Sequence, residues 1–114
     1  SSPESEENCA LMAAQQLRDY LETGNIRNSV NLPTLEQDWS GETRLCIIHR
    51  NVPNMLVSIT AALSRENVNV ENMTNKSKGN YAYTIVDVSA RVGDAVADEI
   101  RAISGVLRVR VLRH

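Results

Sequence analysis

Residues 44–73 constrain the fold of this chain more than any other stretch. Arg44-Leu45-Cys46-Ile47-Ile48-His49 reads as a short apolar strand that runs into Arg50-Asn51-Val52-Pro53-Asn54-Met55-Leu56. A proline is tolerated in the first turn of a helix, where an N–H has no intrahelical partner, so Pro53 is read as a helix start. The helix predicted over 53–66 places Leu56, Ile59, Thr60 and Leu63 on one stripe. A second strand, 68–75, then opens at Val68-Asn69-Val70. A polar strand end (His49, Asn51), a helix start (Pro53, Asn54, Met55) and Asn69 on the next strand compose a small polar notch. Free backbone N–H groups and the helix dipole favour a carboxylate or another anion there. That chemistry fits a small-ligand sensor better than a catalyst.

The pattern continues regularly. Lys76-Ser77-Lys78-Gly79-Asn80 is polar turn chemistry, so strand 81–90 should pair with strand 68–75 as a hairpin. A helix over 94–104 sets Val96, Ile100 and Ile103 on one face, with Gly105 as its stop. The last strand, 106–112, alternates Leu107, Val109 and Val111 with Arg108 and Arg110. The order βαββαβ with right-handed crossovers predicts an α+β, ferredoxin-like fold: a four-stranded antiparallel sheet with both helices on one face.

Two segments precede this unit. Residues 1–24 read as an amphipathic helix over 2–23, capped by Ser2 and Pro3 and stopped by Gly24. Cys9, Met12, Ala13, Leu17, Tyr20 and Leu21 share its apolar face, which needs a partner because an isolated helix of this length is marginal in water. Residues 25–43 read as a linker anchored by Trp39. With 114 residues, the chain has room for one small domain and an appendage. No phenylalanine and one tryptophan leave an aliphatic core. A net charge of −2 and a pI near 5.6 argue against nucleic-acid binding through bulk charge. Cys9 and Cys46 lack metal-ligand spacing and read as buried thiols of a reducing compartment. No apolar run reaches the ~20 residues of a membrane span, and a cytoplasmic location with no membrane partner is the expectation.

Residues 44–114 resemble an ACT domain, a regulatory module that binds amino acids. The stretches Glu4-Ser5-Glu6-Glu7-Asn8-Cys9-Ala10-Leu11-Met12-Ala13 and Asn28-Ser29-Val30-Asn31-Leu32-Pro33 are similar to the end of the catalytic part of the D-3-phosphoglycerate dehydrogenases. The resemblance implies that the chain is the carboxy-terminal fragment of such an NAD-dependent enzyme of serine synthesis. It implies an effector site at His49, Asn51 and Asn69, with Pro53, Asn54 and Met55 at the helix start, binding a small amino acid, L-serine first. It also implies a homo-oligomer, a dimer through the ACT domain. One position departs from the family pattern: the glycine expected after the proline is Asn54.

The fragment itself is expected to be no catalyst and to hold no cofactor or metal. Its glycines, at 24, 41, 79, 93 and 105, are too dispersed for the phosphate loop that NAD binding needs. Neither His49 nor His114 has an acidic neighbour in sequence. Two alternatives remain beside the effector reading. The module oligomerises the enzyme without binding an effector, or the sheet face carrying Tyr81, Tyr83 and Ile85 serves RNA recognition, as in other βαββαβ domains.

Overall fold

The computed structural model of this chain describes residues 19, 22–26 and 32–113. Its elements are β1 (Thr43–Arg50), α1 (Met55–Arg65), β2 (Val70–Lys78), β3 (Tyr81–Val88), α2 (Asp94–Arg101) and β4 (Val106–Arg113). The four strands form one antiparallel sheet in the order β2-β3-β1-β4. This is the predicted ferredoxin-like architecture.

Strand period sorts the side chains between two faces. Leu45, Ile47, Val86, Val88 and Val109 meet Ile59, Ala62 and Leu63 of α1 and Val96, Ala97 and Ile100 of α2, and these residues form the main core. Cys46, Tyr83 and Ile85 point the other way and form a second cluster with Ile26 and Leu35. The second face is therefore covered by the connector that precedes β1.

Several boundaries differ from expectation, each for a local reason. α1 begins at Met55 rather than Pro53 because Asn54 is left-handed, at φ 69°, which no helical residue adopts. Its buried residues are Met55, Ile59, Ala62 and Leu63, so the predicted stripe is rotated and Leu56 and Thr60 are only half-buried. β2 runs on to Lys78 because Gly79-Asn80 alone turns the hairpin. α2 ends at Arg101, well short of Gly105. The register between β1 and β4 shifts after Ile48–Arg108, so that His49 pairs with Val106. Leu107 falls inside that irregularity and is exposed rather than part of the core alternation.

The helix expected over 2–23 lies mostly outside the described residues, with its stripe of Cys9, Met12 and Leu17; Asp19, Glu22 and Thr23 are helical. Gly24 has φ 77°, and a side chain there would overlap Cys46 Sγ and the Tyr83 hydroxyl. Only glycine suits both the backbone and the close approach. Tyr83 donates its hydroxyl proton to the Gly24 carbonyl, and Ile26 and Leu35 exchange two backbone hydrogen bonds of 2.8 and 2.7 Å.

The connector is also held by charge. Arg44 and Asp87 are fully buried and form a bidentate pair, Nε to Oδ1 at 2.6 Å and Nη2 to Oδ2 at 2.8 Å. Arg44 also donates to the carbonyls of Thr23 and Gln37, each at 2.8 Å, and its guanidinium lies 5.0 Å from the centre of the Trp39 ring. Trp39 is thus the anchor its isolation in the linker implied. Burial alone would raise the pKa of Asp87. Hydrogen bonds from Arg44 and the Ser40 N–H, with the Arg44 charge, outweigh burial and hold it below the ordinary aspartate value.

Candidate functional site

The middle of the sheet's helix face is apolar, and polar side chains gather toward its ends. Alternation on β1 brings His49 to that face, and the register sets it opposite Ala82 of β3. On the same face Thr84 pairs with Asn75 of β2. Ala82 is small, and α1 starts only at Met55, so space remains between this end of the sheet and the helix start. A cavity of about 220 Å³ results, lined by His49, Asn51, Val52, Asn54, Met55, Leu56, Val57, Asn75 and Ala82. It is smaller than the ~300–1,000 Å³ of clefts for drug-sized ligands, and so suits a small metabolite.

His49 is buried. Its Nδ1 lies 2.9 Å from the Arg50 carbonyl, and its Nε2 lies 2.8 Å from Thr84 Oγ1. Asn75 Nδ2 donates to Thr84 Oγ1 at 2.6 Å and lies 3.4 Å from His49 Nε2. Asn51 is exposed and braces the β2–β3 turn: its N–H donates to the Asn80 carbonyl at 2.9 Å and its Nδ2 to the Gly79 carbonyl at 3.2 Å. At the helix start, Asn54 makes no side-chain cap, while its carbonyl accepts from the Ser58 N–H at 3.0 Å. Among the described residues, the N–H groups of Met55, Leu56 and Val57 find no acceptor, as the first turn of a helix leaves them. They border the cavity and offer it donors and positive potential.

Five of the six predicted residues thus lie together: His49, Asn51, Asn54 and Met55 line the cavity, and Pro53 sits in the turn between them. Asn69 does not join them. It precedes β2 at the opposite end of the sheet, where its carbonyl accepts from the Ser89 N–H at 3.2 Å. Asn75, six residues further on, occupies the position near His49. Sequence reasoning missed it because it lies in mid-strand with no motif around it. Pairing with Thr84, visible only in the register, gives it a role.

The opposite face carries the aromatics on which the RNA reading rests. Tyr83, an aromatic that RNA stacking would require to be exposed, is fully buried under the connector, while Tyr81 at the strand end is exposed. Cys46 is a buried free thiol whose pKa burial pushes up, against smaller opposing effects of Tyr83, Arg44 and Arg110. Among the described residues no group of His, Cys, Asp and Glu is placed to hold a metal ion, and no helix is long and apolar enough to cross a membrane.

Known proteins resemble this chain in sequence and in fold. It is 27% identical over 113 residues to D-3-phosphoglycerate dehydrogenase of Haemophilus influenzae, covering 98% of this chain and 28% of that protein. It is 33% identical over 95 residues to D-3-phosphoglycerate dehydrogenase 2 of Saccharomyces cerevisiae, covering 79% of this chain and 20% of that protein. The matched region is the carboxy-terminal part of those enzymes, and the chain spans less than a third of their length. No family model matches the chain. Among solved structures, the ACT domain of GTP pyrophosphokinase from Chlorobium tepidum superposes with a TM-score of 0.55 at 19% identity, over 63% of this chain and 97% of that one. The regulatory subunit of aspartate kinase from Thermus thermophilus superposes with a TM-score of 0.51 at 12% identity, over 62% of this chain and 50% of that one. The chain is homologous to the carboxy-terminal part of the D-3-phosphoglycerate dehydrogenases, and its fold is that of ACT domains.

Proposed function

We propose that this chain is the regulatory ACT module of a D-3-phosphoglycerate dehydrogenase and that it binds a small L-amino acid, serine first, in the cavity at the start of α1. The observation that carries this reading is the makeup of that cavity. Unpartnered N–H groups of a helix's first turn border it on one side, and uncharged polar side chains, Asn51 and Asn75, lie on the others. The helix N-terminus takes a carboxylate, and the amides take the ammonium and hydroxyl groups. Dehydrogenation, with its NAD, belongs in this reading to the remainder of the parent enzyme, and the chain supplies the effector response.

Asn69 lies too far along the sheet to serve the cavity of its own chain, so in this reading it serves that of a second copy, across a dimer. Both outer strands, β2 and β4, have one edge without a strand partner among the described residues. Edge pairing of two copies extends the sheet and closes the cavity.

Calorimetry of the chain with L-serine, glycine and the other amino acids tests the reading. Saturable heat with a small L-amino acid, together with a rise in melting temperature, is the expected result. Light scattering at ~100 μM, far above a typical specific dissociation constant, is expected to give a dimer or larger. No heat and no thermal shift at millimolar amino acid would leave assembly alone as the function of the module.

A further inference from the structure

We propose that Asn75 is a specificity-determining residue of this cavity, presenting its Oδ1 as an acceptor for a ligand's ammonium group; the inference rests on the effector reading above. The argument follows the direction of each hydrogen bond. A backbone carbonyl only accepts, so the Arg50 carbonyl, 2.9 Å from His49 Nδ1, fixes the ring proton on Nδ1. A neutral ring then has a lone pair on Nε2. The Thr84 hydroxyl, 2.8 Å away, donates to it. With its one proton so placed, Thr84 Oγ1 accepts from Asn75 Nδ2 at 2.6 Å. The same nitrogen lies 3.4 Å from His49 Nε2, whose one lone pair accepts the Thr84 proton.

The carboxamide is therefore oriented, with its nitrogen bonded into the sheet. Its Oδ1 takes no hydrogen bond from any described residue, and Asn75 lines the cavity. Both ring nitrogens of His49 are occupied within the chain, so in this state His49 positions Asn75 through Thr84. The cavity has opposite polarity at its two ends: donors at the first turn of α1 and an acceptor at Asn75. An α-amino acid satisfies both. An acid of the same length without the amine satisfies only the helix end.

The test compares L-serine with 3-hydroxypropionate, which keeps the carboxylate and hydroxyl and lacks the ammonium. Calorimetry of the unmodified chain is expected to favour serine by about ten- to a hundred-and-fifty-fold, the range for a hydrogen bond to a charged group. Asn75→Ala should erase most of that preference. No binding of either ligand by the unmodified chain overturns the effector reading and the role of Asn75 with it. Serine binding with an unchanged preference in Asn75→Ala overturns the role of Asn75 alone.

Nitrogen-15 NMR of the ring in the ligand-free chain at pH 7.5 reads the order of the bonds directly. His49 is expected with Nδ1 protonated and Nε2 bare, and Asn75→Ala should leave it so, because Thr84 still donates. In Asn75→Asp the carboxylate cannot donate to Thr84 and draws the hydroxyl proton to itself. Nε2, left without a donor, should then take a proton from solvent and donate it to Thr84 Oγ1, so that the ring carries both protons beside the new carboxylate. A protonated Nε2 in the unmodified chain, or an unchanged ring in Asn75→Asp, overturns the proposal whichever ligand binds.

Discussion

Two buried polar clusters on opposite faces of the sheet, one centred on Arg44 and one on His49, are completed in opposite ways. Under the connector, Arg44 is fully buried and its five N–H donors all reach acceptors, on Asp87, Gln37, Thr23 and Asn25. At the start of α1, the chain of bonds from Arg50 through His49 and Thr84 to Asn75 is complete on the protein side and ends on an open cavity. A buried polar group satisfied from every direction holds a fold together. One satisfied from behind and open in front is available to a ligand. On this contrast, substitutions under the connector should cost stability, and substitutions at the cavity should cost binding.

Asp87→Ala should give the largest effect. It leaves the Arg44 guanidinium buried and unpaired, and removing one partner of such a pair costs about 3–5 kcal/mol. Urea unfolding monitored by circular dichroism measures it, and a loss below ~1 kcal/mol would break the contrast. The pH dependence follows in sign. The folded pKa of Asp87 lies below its unfolded value. Its contribution is therefore complete above the unfolded aspartate range, about pH 4, and is lost as pH falls through the folded pKa. Asp87→Asn should flatten that acid limb of the stability profile.

Leu35→Ala comes next. Leu35 is 1% exposed and seals the connector over Tyr83 and Ile85. Truncating a buried leucine costs about 2–5 kcal/mol. The loss should appear with increased quenching of tyrosine fluorescence as the Tyr83 face opens. Serine binding by the folded fraction should be unchanged, because the cavity lies on the other side of the sheet.

The same contrast explains what the sequence disclosed. The apolar periods of residues 44–112 specify the strands and helices, since each helix stripe and strand alternation must match a buried face. They do not say what covers the other face. Tyr83 and Ile85 mark it as apolar, but Ile26 and Leu35 sit in a segment rich in turn residues and read as linker. The pairing of Arg44 with Asp87 spans 43 residues, and only the register of β1 and β3 discloses it. At the cavity, the compact run from His49 to Met55 was legible because its polar residues are close in sequence. Asn75 was not, and Asn69 falls at the wrong end of its own sheet for a single chain.

Asn51→Ala should act mainly on the ligand. A hydrogen bond to a charged ligand group is worth about 1.5–3 kcal/mol, so serine binding should weaken roughly ten- to a hundred-and-fifty-fold. Its exposed bond to the Gly79 carbonyl should cost stability no more than about 1 kcal/mol. If the stability loss exceeded the binding loss, Asn51 would belong with the connector's structural groups.

Asn54→Gly is the smallest effect and the sharpest division between the two kinds of polar group. Asn54 holds φ 69° without a side-chain cap, and it lines the cavity. Its left-handed backbone is what glycine accepts without cost, and asparagine tolerates it better than most residues. Glycine there should leave the melting temperature within a few degrees, since relief of backbone strain offsets the greater freedom of the unfolded chain. The side chain has no partner among the described residues, so its removal widens the approach to the N–H groups of Met55, Leu56 and Val57. Serine should then bind a few-fold tighter by calorimetry. Weaker binding would instead assign the Asn54 amide a bond to the ligand. That result would move it from obstructing the cavity to furnishing it, beside Asn51 and Asn75.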